Sequence, residues 1–193
     1  MKRITVFCGS NAGNDETYLN TARQLGKALA QQKIGVVYGG ARIGLMGAVA
    51  DGALEANGEV IGVLPGFLRS IEIEHRGLTQ IYHVESMHQR KAKMDDLSDG
   101  VIALPGGYGT MEEFFEMLTW AQLGLHKKPV ALLNVAGFYD GLLNVLQNMV
   151  DKGFLTPANQ KMLIIGASID GVLREMKNYR APDIKKWITK DET

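Results

Sequence analysis

The sequence predicts an α/β protein with a doubly wound parallel sheet in a single domain. Short apolar runs alternate along the chain with segments whose apolar residues recur every three or four positions. This alternation is typical of parallel strands joined by crossover helices. Four of the predicted strands end in turns that contain glycine, and the carboxyl ends of parallel strands meet at the edge where ligands bind. These turns lie at residues 9–10, 39–40, 65–66 and 105–110.

The first half of the chain supplies three strands and two helices. Each strand is a short apolar run, typical of a strand buried on both faces, and the three runs are 3–8, 34–38 and 60–64. The first helix ends at about residue 32 and packs through Leu19, Leu25 and Leu29. The second spans about 44–57, and Gly58 is predicted to be its C′ residue.

The second half repeats the pattern after an irregular charged segment at 67–78. Its predicted strands are 81–84, 101–104, 129–133 and 162–165. Four helices are predicted in this half. The first is capped by Ser86 and ends near residue 98, and the second follows the 105–110 turn and ends near residue 124. The last two span about 138–152 and 168–178. A polar tail from about residue 180 contains Trp187 and is predicted to be peripheral.

Composition narrows the class of protein. The 193 residues are enough for one domain with a substantial core, and the 21 basic residues balance 21 acidic ones. A net charge of zero predicts no general attraction to nucleic acid polymers or to membranes. Cys8 is the only cysteine, which excludes an internal disulfide and suits a reducing compartment. No apolar run has the length of a signal peptide core or a bilayer span, so we expect a soluble, cytoplasmic protein.

The most informative stretch is 101–124, where a buried strand, a glycine-rich turn and a helix follow one another. The turn comprises residues 105–110 and contains three glycines. Glycines let backbone N–H groups approach an anion closely, and the first turn of a helix adds unpaired donors and the positive end of its dipole. This stretch therefore predicts a phosphate site.

Two carboxylates follow the turn, and they have two possible explanations. Thr110 and Glu113 fit a capping box, with Thr110 as the N-cap residue and Glu113 at N3, and the spacing alone favours this structural role. The alternative is catalytic, because a carboxylate beside a bound phosphate costs electrostatic energy and therefore suggests chemistry.

The helix that begins at Met87 carries two cations at the border of its buried stripe. Arg90 and Lys91 lie three and four positions after Met87, so they can reach into a cleft and bind a phosphate or orient a carboxylate. The alternative is that both side chains extend along a solvated face. Glu72, Glu74 and His75 lie in the irregular segment at the same edge of the sheet, and an exposed charged loop is the usual explanation for such residues.

Several common sites are not supported by the sequence. The turn after the first strand lacks G-x-G-x-x-G, so a dinucleotide is not expected, and no P-loop motif occurs. The four histidines lack metal-ligand spacing, and Ser10 has no G-x-S-x-G context. We therefore expect neither a metal nor a cofactor, and Cys8 is predicted to pack as a small apolar residue.

Residues 105–113 resemble the PGGxGTxxE signature of the LONELY GUY family of cytokinin riboside 5′-monophosphate phosphoribohydrolases, once misnamed lysine decarboxylases. Residues 87–91 resemble the second motif of the family. Further similarity at 7–10, 38–47 and 119–129 extends the resemblance over most of the chain, although it is weakest after about residue 155.

The resemblance implies a single Rossmann-like nucleotide-binding domain over residues 1–193 that hydrolyses the N-glycosidic bond of purine nucleoside 5′-monophosphates. It places the catalytic roles on Arg90 and Glu113. The residues that it implies for substrate binding are Glu72, Arg90, Lys91, Gly107, Tyr108, Gly109, Thr110, Met111, Glu112, Glu113 and Thr119. It also implies a homodimer or a larger assembly with the site near the subunit interface.

Three alternatives stay open at this point. A nucleotide-binding module without turnover would use the same phosphate loop, and a general AMP nucleosidase would accept an unmodified base. The decarboxylase label would require pyridoxal phosphate on a Schiff-base lysine, and no lysine of the sequence has an evident cofactor pocket.

Overall fold

A single all-parallel sheet of seven strands organises the computed structural model, which describes residues 1–68 and 74–182. In chain order the strands are Arg3–Phe7 (β1), Gly35–Tyr38 (β2), Val60–Pro65 (β3), Gln80–Val84 (β4), Val101–Ala103 (β5), Val130–Leu133 (β6) and Leu163–Gly166 (β7). Their spatial order is β4-β3-β2-β1-β5-β6-β7. The chain therefore starts at the middle of the sheet, and the strand order reverses between β1 and β5, which is where such folds bind ligands.

Helices cover both faces of the sheet. They are Glu16–Gln31 (α1), Gly44–Glu55 (α2), Met87–Leu97 (α3), Tyr108–Gln122 (α4), Asp140–Asp151 (α5), Pro157–Gln160 (α6) and Ile169–Asn178 (α7). One apolar core joins α1, α2 and α7 to the first face, and a second core joins α3, α4 and α5 to the opposite face. Strand residues alternate between the two cores, so neighbours such as Val36 and Val37 belong to different ones.

Helices α1 and α2 pack backbone against backbone. A Cβ atom on Gly26 of α1 would lie 2.1 Å from the carbonyl oxygen of Val49, and one on Gly52 of α2 would lie 2.0 Å from that of Arg23. Only glycine fits at these two positions. Because glycine has no side chain, the two helices can approach each other this closely.

The structure confirms the predicted fold class, and every strand begins and ends within one residue of its predicted limits. One predicted helix end is wrong, and one helix was missed. The C′ residue of α2 is Asn57, which has a φ of 57° and follows the C-cap residue Ala56, so Gly58 lies one position further on. The one-turn helix α6, with Thr156 as its N-cap, was not predicted.

Two further expectations reach beyond the described residues. The peripheral tail with Trp187 lies outside them, so the single domain over residues 1–193 stays a prediction. Among the helices in residues 1–68 and 74–182, none is both long enough and apolar enough to cross a bilayer.

Candidate functional site

A cavity of about 420 Å³ opens at the carboxyl edge of the sheet, where β1 and β5 lie side by side. Its walls come from the loop after β1, the start of α2, the start of α3, the loop after β5 and the first turns of α4. Two of the four predicted glycine turns, 9–10 and 105–110, therefore meet at this cavity, as the parallel topology requires.

The glycine turn after β5 leads directly into α4. Gly107 is the N-cap residue and has no side-chain hydrogen bond, and the first backbone bond of the helix runs from the N–H of Met111 to the carbonyl of Gly107. The four N–H groups of residues 107–110 therefore lack partners within the helix. A Cβ atom on Gly107 or Gly109 would meet nothing within 4 Å, so the backbone there borders open space.

The predicted capping box is wrong. Helix α4 begins at Tyr108, which places Thr110 inside the first turn, buried and close to Gly106, rather than at the N-cap. Glu113 consequently lies in the second turn of the helix, where it has no role in capping. Instead, Glu113 lines the cavity.

Arg90 of α3 forms part of the cavity wall. The residue is only 4% exposed, and its Nη2 donates a hydrogen bond of 3.1 Å to the carbonyl oxygen of Gly39 at the end of β2. A Cβ atom on Gly39 would lie 2.0 Å from that Nη2, so glycine at this position makes room for the guanidinium. The interpretation of Arg90 as a side chain on a solvated face is therefore wrong.

Cys8, directly after β1, is buried and lines the same cavity as Arg90 and Glu113. Burial raises the pKa of its thiol far above the usual range, the negative charge of Glu113 raises it further, and the positive charge of Arg90 lowers it. The thiol is therefore protonated and poorly nucleophilic at neutral pH.

Lys91 is buried and links α3 to α4. Its Nζ lies 2.5 Å from Oε1 of Glu112 and 2.9 Å from Oε2 of Glu116. Burial by itself lowers the pKa of Lys91, but the hydrogen bonds to the two carboxylates outweigh it, so the pKa is raised. The interpretation of Lys91 as a solvated side chain is therefore also wrong. Glu116 was not predicted, although its position four residues after Glu112 places both on one helix face.

The structure brings together about half of the residues that the sequence singled out. Those that line the cavity are Arg90, Gly107, Gly109, Thr110 and Glu113. Those that do not are Lys91, Tyr108, Met111, Glu112 and Thr119. Tyr108 is 98% exposed, Thr119 borders a separate groove between α4 and α5, and Glu72 lies outside the described residues.

The cavity also has walls that the sequence analysis missed. Apart from the loop residues 8–14, the lining side chains that were not predicted are Tyr18, Leu45, Met46, Leu68, Met87 and Phe138. Three of them had a signal, because Met87 begins the second family motif and Leu45 and Met46 lie in the similar stretch 38–47. Among the described residues, the lining includes no lysine, and no group of three or more His, Cys, Asp or Glu side chains is arranged to hold a metal.

Comparisons with known proteins identify the family. The sequence model of a family described as "Possible lysine decarboxylase" matches residues 46–176. The chain is 47% identical over 178 residues to the cytokinin riboside 5′-monophosphate phosphoribohydrolase of Rhodococcoides fascians, which covers 92% of this chain and 90% of the relative. The chain belongs to the LONELY GUY family. The prediction from the two motifs is thus confirmed.

Further relatives of the LONELY GUY family agree with this assignment. LOG1 of Arabidopsis thaliana, named a cytokinin riboside 5′-monophosphate phosphoribohydrolase, is 45% identical over 92% of this chain and 84% of its own. Among solved structures, the Moco carrier protein of Chlamydomonas reinhardtii is similar with a TM-score of 0.68 and 25% identity, over 91% of this chain and 95% of its own. The molybdenum cofactor binding protein of Rippkaea orientalis, at 23% identity and a TM-score of 0.69, over 92% of this chain and 97% of its own, shares the fold.

Proposed function

We propose that this protein hydrolyses the N-glycosidic bond of N6-modified adenosine 5′-monophosphates and releases the free base, a cytokinin, and ribose 5-phosphate. The single observation that carries the proposal is the cavity in which the glycine-rich turn before α4, Arg90 and Glu113 lie together. The family relationship supports the substrate class, because a relative that is 47% identical bears the name of this activity.

In this proposal the 5′-phosphate binds to the N–H groups of residues 107–110. These groups lack partners within α4, and the positive end of the helix dipole favours a dianion at that position. Because the binding atoms belong to the backbone, they are fixed before the substrate arrives. Binding the phosphate there holds the ribose against the second turn of α4 and presents C1′ to Glu113.

Glu113 supplies the negative charge that the reaction needs. Departure of the base leaves positive oxocarbenium character on C1′ and the ring oxygen, which a nearby carboxylate stabilises. The same carboxylate accepts a proton from the attacking water as the C1′–N bond breaks. The oxygen of water then bonds to C1′, and the leaving nitrogen of the base gains a proton, so water is the only other reactant.

Arg90 orients the reacting groups in this scheme. Its guanidinium is held by the Gly39 carbonyl and by burial, so it points into the cavity without needing to reorganise. Glu72, Lys91, Tyr108, Met111, Glu112 and Thr119 stay predicted substrate contacts. For Tyr108 that contact is through the backbone N–H, because its side chain is 98% exposed.

We also propose that the protein is cytoplasmic and assembles as a homodimer or a larger assembly, without nucleic acid or membrane partners. The neutral net charge and the single cysteine support the location. Exposed apolar side chains on and after α5 support the assembly, since Val145 is 49%, Met149 38% and Phe154 88% exposed.

One alternative has an observation in its favour, a nucleotide-binding module without turnover. The similar protein from Chlamydomonas reinhardtii is named a carrier and is 25% identical to this chain. A decarboxylase is disfavoured, because the described lining of the cavity includes no lysine and the pKa of the buried Lys91 is raised rather than lowered.

The test compares AMP and isopentenyladenosine 5′-monophosphate as substrates of the wild type and Glu113→Gln, with products separated by HPLC. We expect the wild type to release base from the prenylated nucleotide faster than from AMP. Glu113→Gln should lower kcat by about 100-fold or more while nucleotide affinity changes little, because the amide keeps the shape and loses the charge.

Glu175→Gln is the matched control, since Glu175 is exposed on α7 and lies outside the cavity. It should keep wild-type kcat and KM. Binding of both nucleotides with no release of base by the wild type would refute the hydrolase and support the binding module. Equal rates on the two nucleotides would instead indicate a general AMP nucleosidase.

A further inference from the structure

A buried tyrosine outside the cavity contacts the base of the glycine-rich turn. Tyr139 lies between β6 and α5, is 1% exposed and does not belong to the cavity lining. Its hydroxyl donates a 2.6 Å hydrogen bond to the carbonyl oxygen of Leu104. Leu104 is itself fully buried and directly precedes the turn of residues 105–110. The function proposed above gives this hydrogen bond no role.

The hydrogen bond from the phenol replaces one that the sheet does not make. Between β1 and β5 the N–H of Thr5 bonds to the carbonyl of Gly100. A regular parallel ladder continues in steps of two residues, which would pair the N–H of Gly9 with the carbonyl of Leu104. The N–H of Gly9 instead bonds to the carbonyl of Pro105, at 3.0 Å. The carbonyl of Leu104 therefore leaves the ladder where β5 turns, and the phenol supplies its partner.

The position of Tyr139 is fixed by its own surroundings. Its backbone N–H donates a 2.7 Å hydrogen bond to Oδ1 of Asn134, and the N–H of Asn134 bonds to the carbonyl of Gly166 at the end of β7. The side-chain amide of Asn134 also donates to Asp140, the first residue of α5. The ring of Tyr139 packs in the second core and contacts Phe138 edge to face, with the ring centroids 4.9 Å apart. The hydroxyl is thus held by a firmly anchored segment.

Two hydrogen bonds therefore anchor the start of the glycine-rich turn from opposite sides. Gly9 belongs to the loop after β1 and Tyr139 to the segment after β6, and these two strands are the neighbours of β5 in the sheet. Further along the turn there is little packing, because a Cβ atom on Gly107 or Gly109 would meet nothing within 4 Å. Since glycine has more conformational freedom than other residues, the direction of the N–H groups depends on how the start of the turn is held.

We propose that Tyr139 is a positioning residue that holds the glycine-rich turn in the geometry that binds the 5′-phosphate. The inference rests on the proposed function, in which the N–H groups of residues 107–110 bind that phosphate. Without the phenol the carbonyl of Leu104 loses its partner, and the peptide group that follows it can reorient. A rotation at the start of the turn shifts every N–H group that follows. Affinity for the phosphate then falls, while the contacts of the base and the ribose elsewhere in the cavity are unchanged.

The test compares a nucleoside with its 5′-monophosphate, so that it isolates the contribution of the phosphate. Calorimetry measures the Kd of isopentenyladenosine and of its monophosphate on the Glu113→Gln background, in which the nucleotide is consumed too slowly to disturb the titration. We expect Tyr139→Phe to lower the ratio of the nucleoside Kd to the monophosphate Kd by about tenfold, through weaker binding of the monophosphate alone. A loss of stability by itself weakens the binding of both ligands by the same factor and leaves this ratio unchanged.

Tyr38→Phe is the matched control for the loss of a buried phenol hydroxyl. Tyr38 is fully buried at the end of β2, on the same edge of the sheet, and its hydroxyl has no hydrogen-bond partner among the described residues. Its removal should leave the ratio unchanged. Asn134→Ala is a second variant, which frees the backbone of Tyr139 but keeps the ring and the hydroxyl, and it should lower the ratio by about threefold.

Failure of the Tyr139 role differs from failure of the phosphate site. An unchanged ratio in Tyr139→Phe, or an equal fall in Tyr38→Phe, overturns the role of Tyr139 and leaves the proposed function intact. If the Glu113→Gln protein binds nucleoside and monophosphate equally, the phosphate site itself fails and the role of Tyr139 fails with it. Amide hydrogen exchange provides a second measurement, since Tyr139→Phe should speed exchange at residues 106–110 and Tyr38→Phe should not.

Discussion

At the scale of single residues, the position of Arg90 depends on the absence of a side chain at Gly39. A methyl group there would lie 2.0 Å from Nη2 of Arg90 and 2.9 Å from Sδ of Met46. The guanidinium is the end of a flexible side chain, so it can move away at modest cost to folding. In the proposed mechanism, however, its displacement removes it from the position in which it orients the reacting groups.

We therefore expect Gly39→Ala to lower kcat/KM by about 100-fold, as displacements of about 1 Å in active sites often do. The free energy of unfolding should fall by less than about 3 kcal/mol, because one charge-assisted hydrogen bond is lost. The measurements are steady-state kinetics and urea unfolding on the same preparation.

Gly66→Ala is the matched control for this substitution. Gly66 also follows a strand at the carboxyl edge, but a Cβ atom there meets nothing within 4 Å. It should leave kcat/KM unchanged. If Gly39→Ala keeps the wild-type kcat/KM, then the space at Gly39 does not position Arg90 for the reaction.

At the scale of secondary-structure elements, the contact between α1 and α2 depends on Gly26 and Gly52. In Gly26→Ala the added methyl group meets backbone atoms, the carbonyl oxygen of Val49 and the N–H of Ala53, which cannot rotate away. Overpacking of this kind costs about 1–3 kcal/mol or more, which exceeds the roughly 1 kcal/mol that alanine gains in helix propensity.

Gly26→Ala should accordingly lower the free energy of unfolding by about 2 kcal/mol, measured by urea denaturation. Gly141→Ala on α5 tests the same change where no neighbour lies within 4 Å, and it should leave stability unchanged or slightly raised. A stabilised Gly26→Ala variant would show that the two helices separate easily.

The elements themselves could be predicted from the sequence because buried strands have a local signature. Except for the half-buried β4, each strand is a short, largely buried run bounded by a turn, and no strand limit differs from the prediction by more than one residue. Helix ends were harder, because capping depends on backbone geometry. The spacing of Thr110 and Glu113 fits a capping box, yet α4 begins at Tyr108. Its N-cap residue is Gly107, which caps the helix without a side-chain hydrogen bond and so leaves no capping residue to recognise in the sequence.

At the scale of the whole molecule, three buried acids govern stability at alkaline pH. Burial raises the pKa values of the Cys8 thiol and of the Tyr38 and Tyr139 phenols above their ordinary ranges. In the unfolded chain the thiol ionises near pH 8.5 and the phenols near pH 10, so above these values the unfolded state releases protons that the folded state keeps.

The free energy of unfolding should therefore decline above about pH 8.5 and more steeply above about pH 10, by up to roughly 1.4 kcal/mol per pH unit for each group. Urea denaturation between pH 7 and pH 10.5 measures this. In Cys8→Ala the decline should begin only near pH 10. If the free energy of unfolding of the wild type and of Cys8→Ala falls in parallel with pH, the Cys8 thiol is not held protonated by burial.

That Arg90 and Glu113 line one cavity could be predicted at this scale, whereas the rest of the lining could not. Their shared location follows from two motifs together with a topology that brings the start of α3 and the loop after β5 to one edge, and their catalytic roles stay a prediction. Tyr18 and Phe138 meet only because α1 packs beside the loop after β6. No local pattern in the sequence signals such a contact between distant elements.

The proposed phosphate site at residues 107–110 has a practical consequence, because it uses backbone N–H groups rather than side chains. Tyr108 contributes an N–H group to the first turn of α4, while its side chain is 98% exposed. The ring can therefore be exchanged for a cysteine that carries an environment-sensitive dye, since Cys8, the only other thiol, is buried. In the proposed binding mode a fluorophore at this position would stand beside the bound phosphate, and the protein would become an optical sensor for the nucleotide.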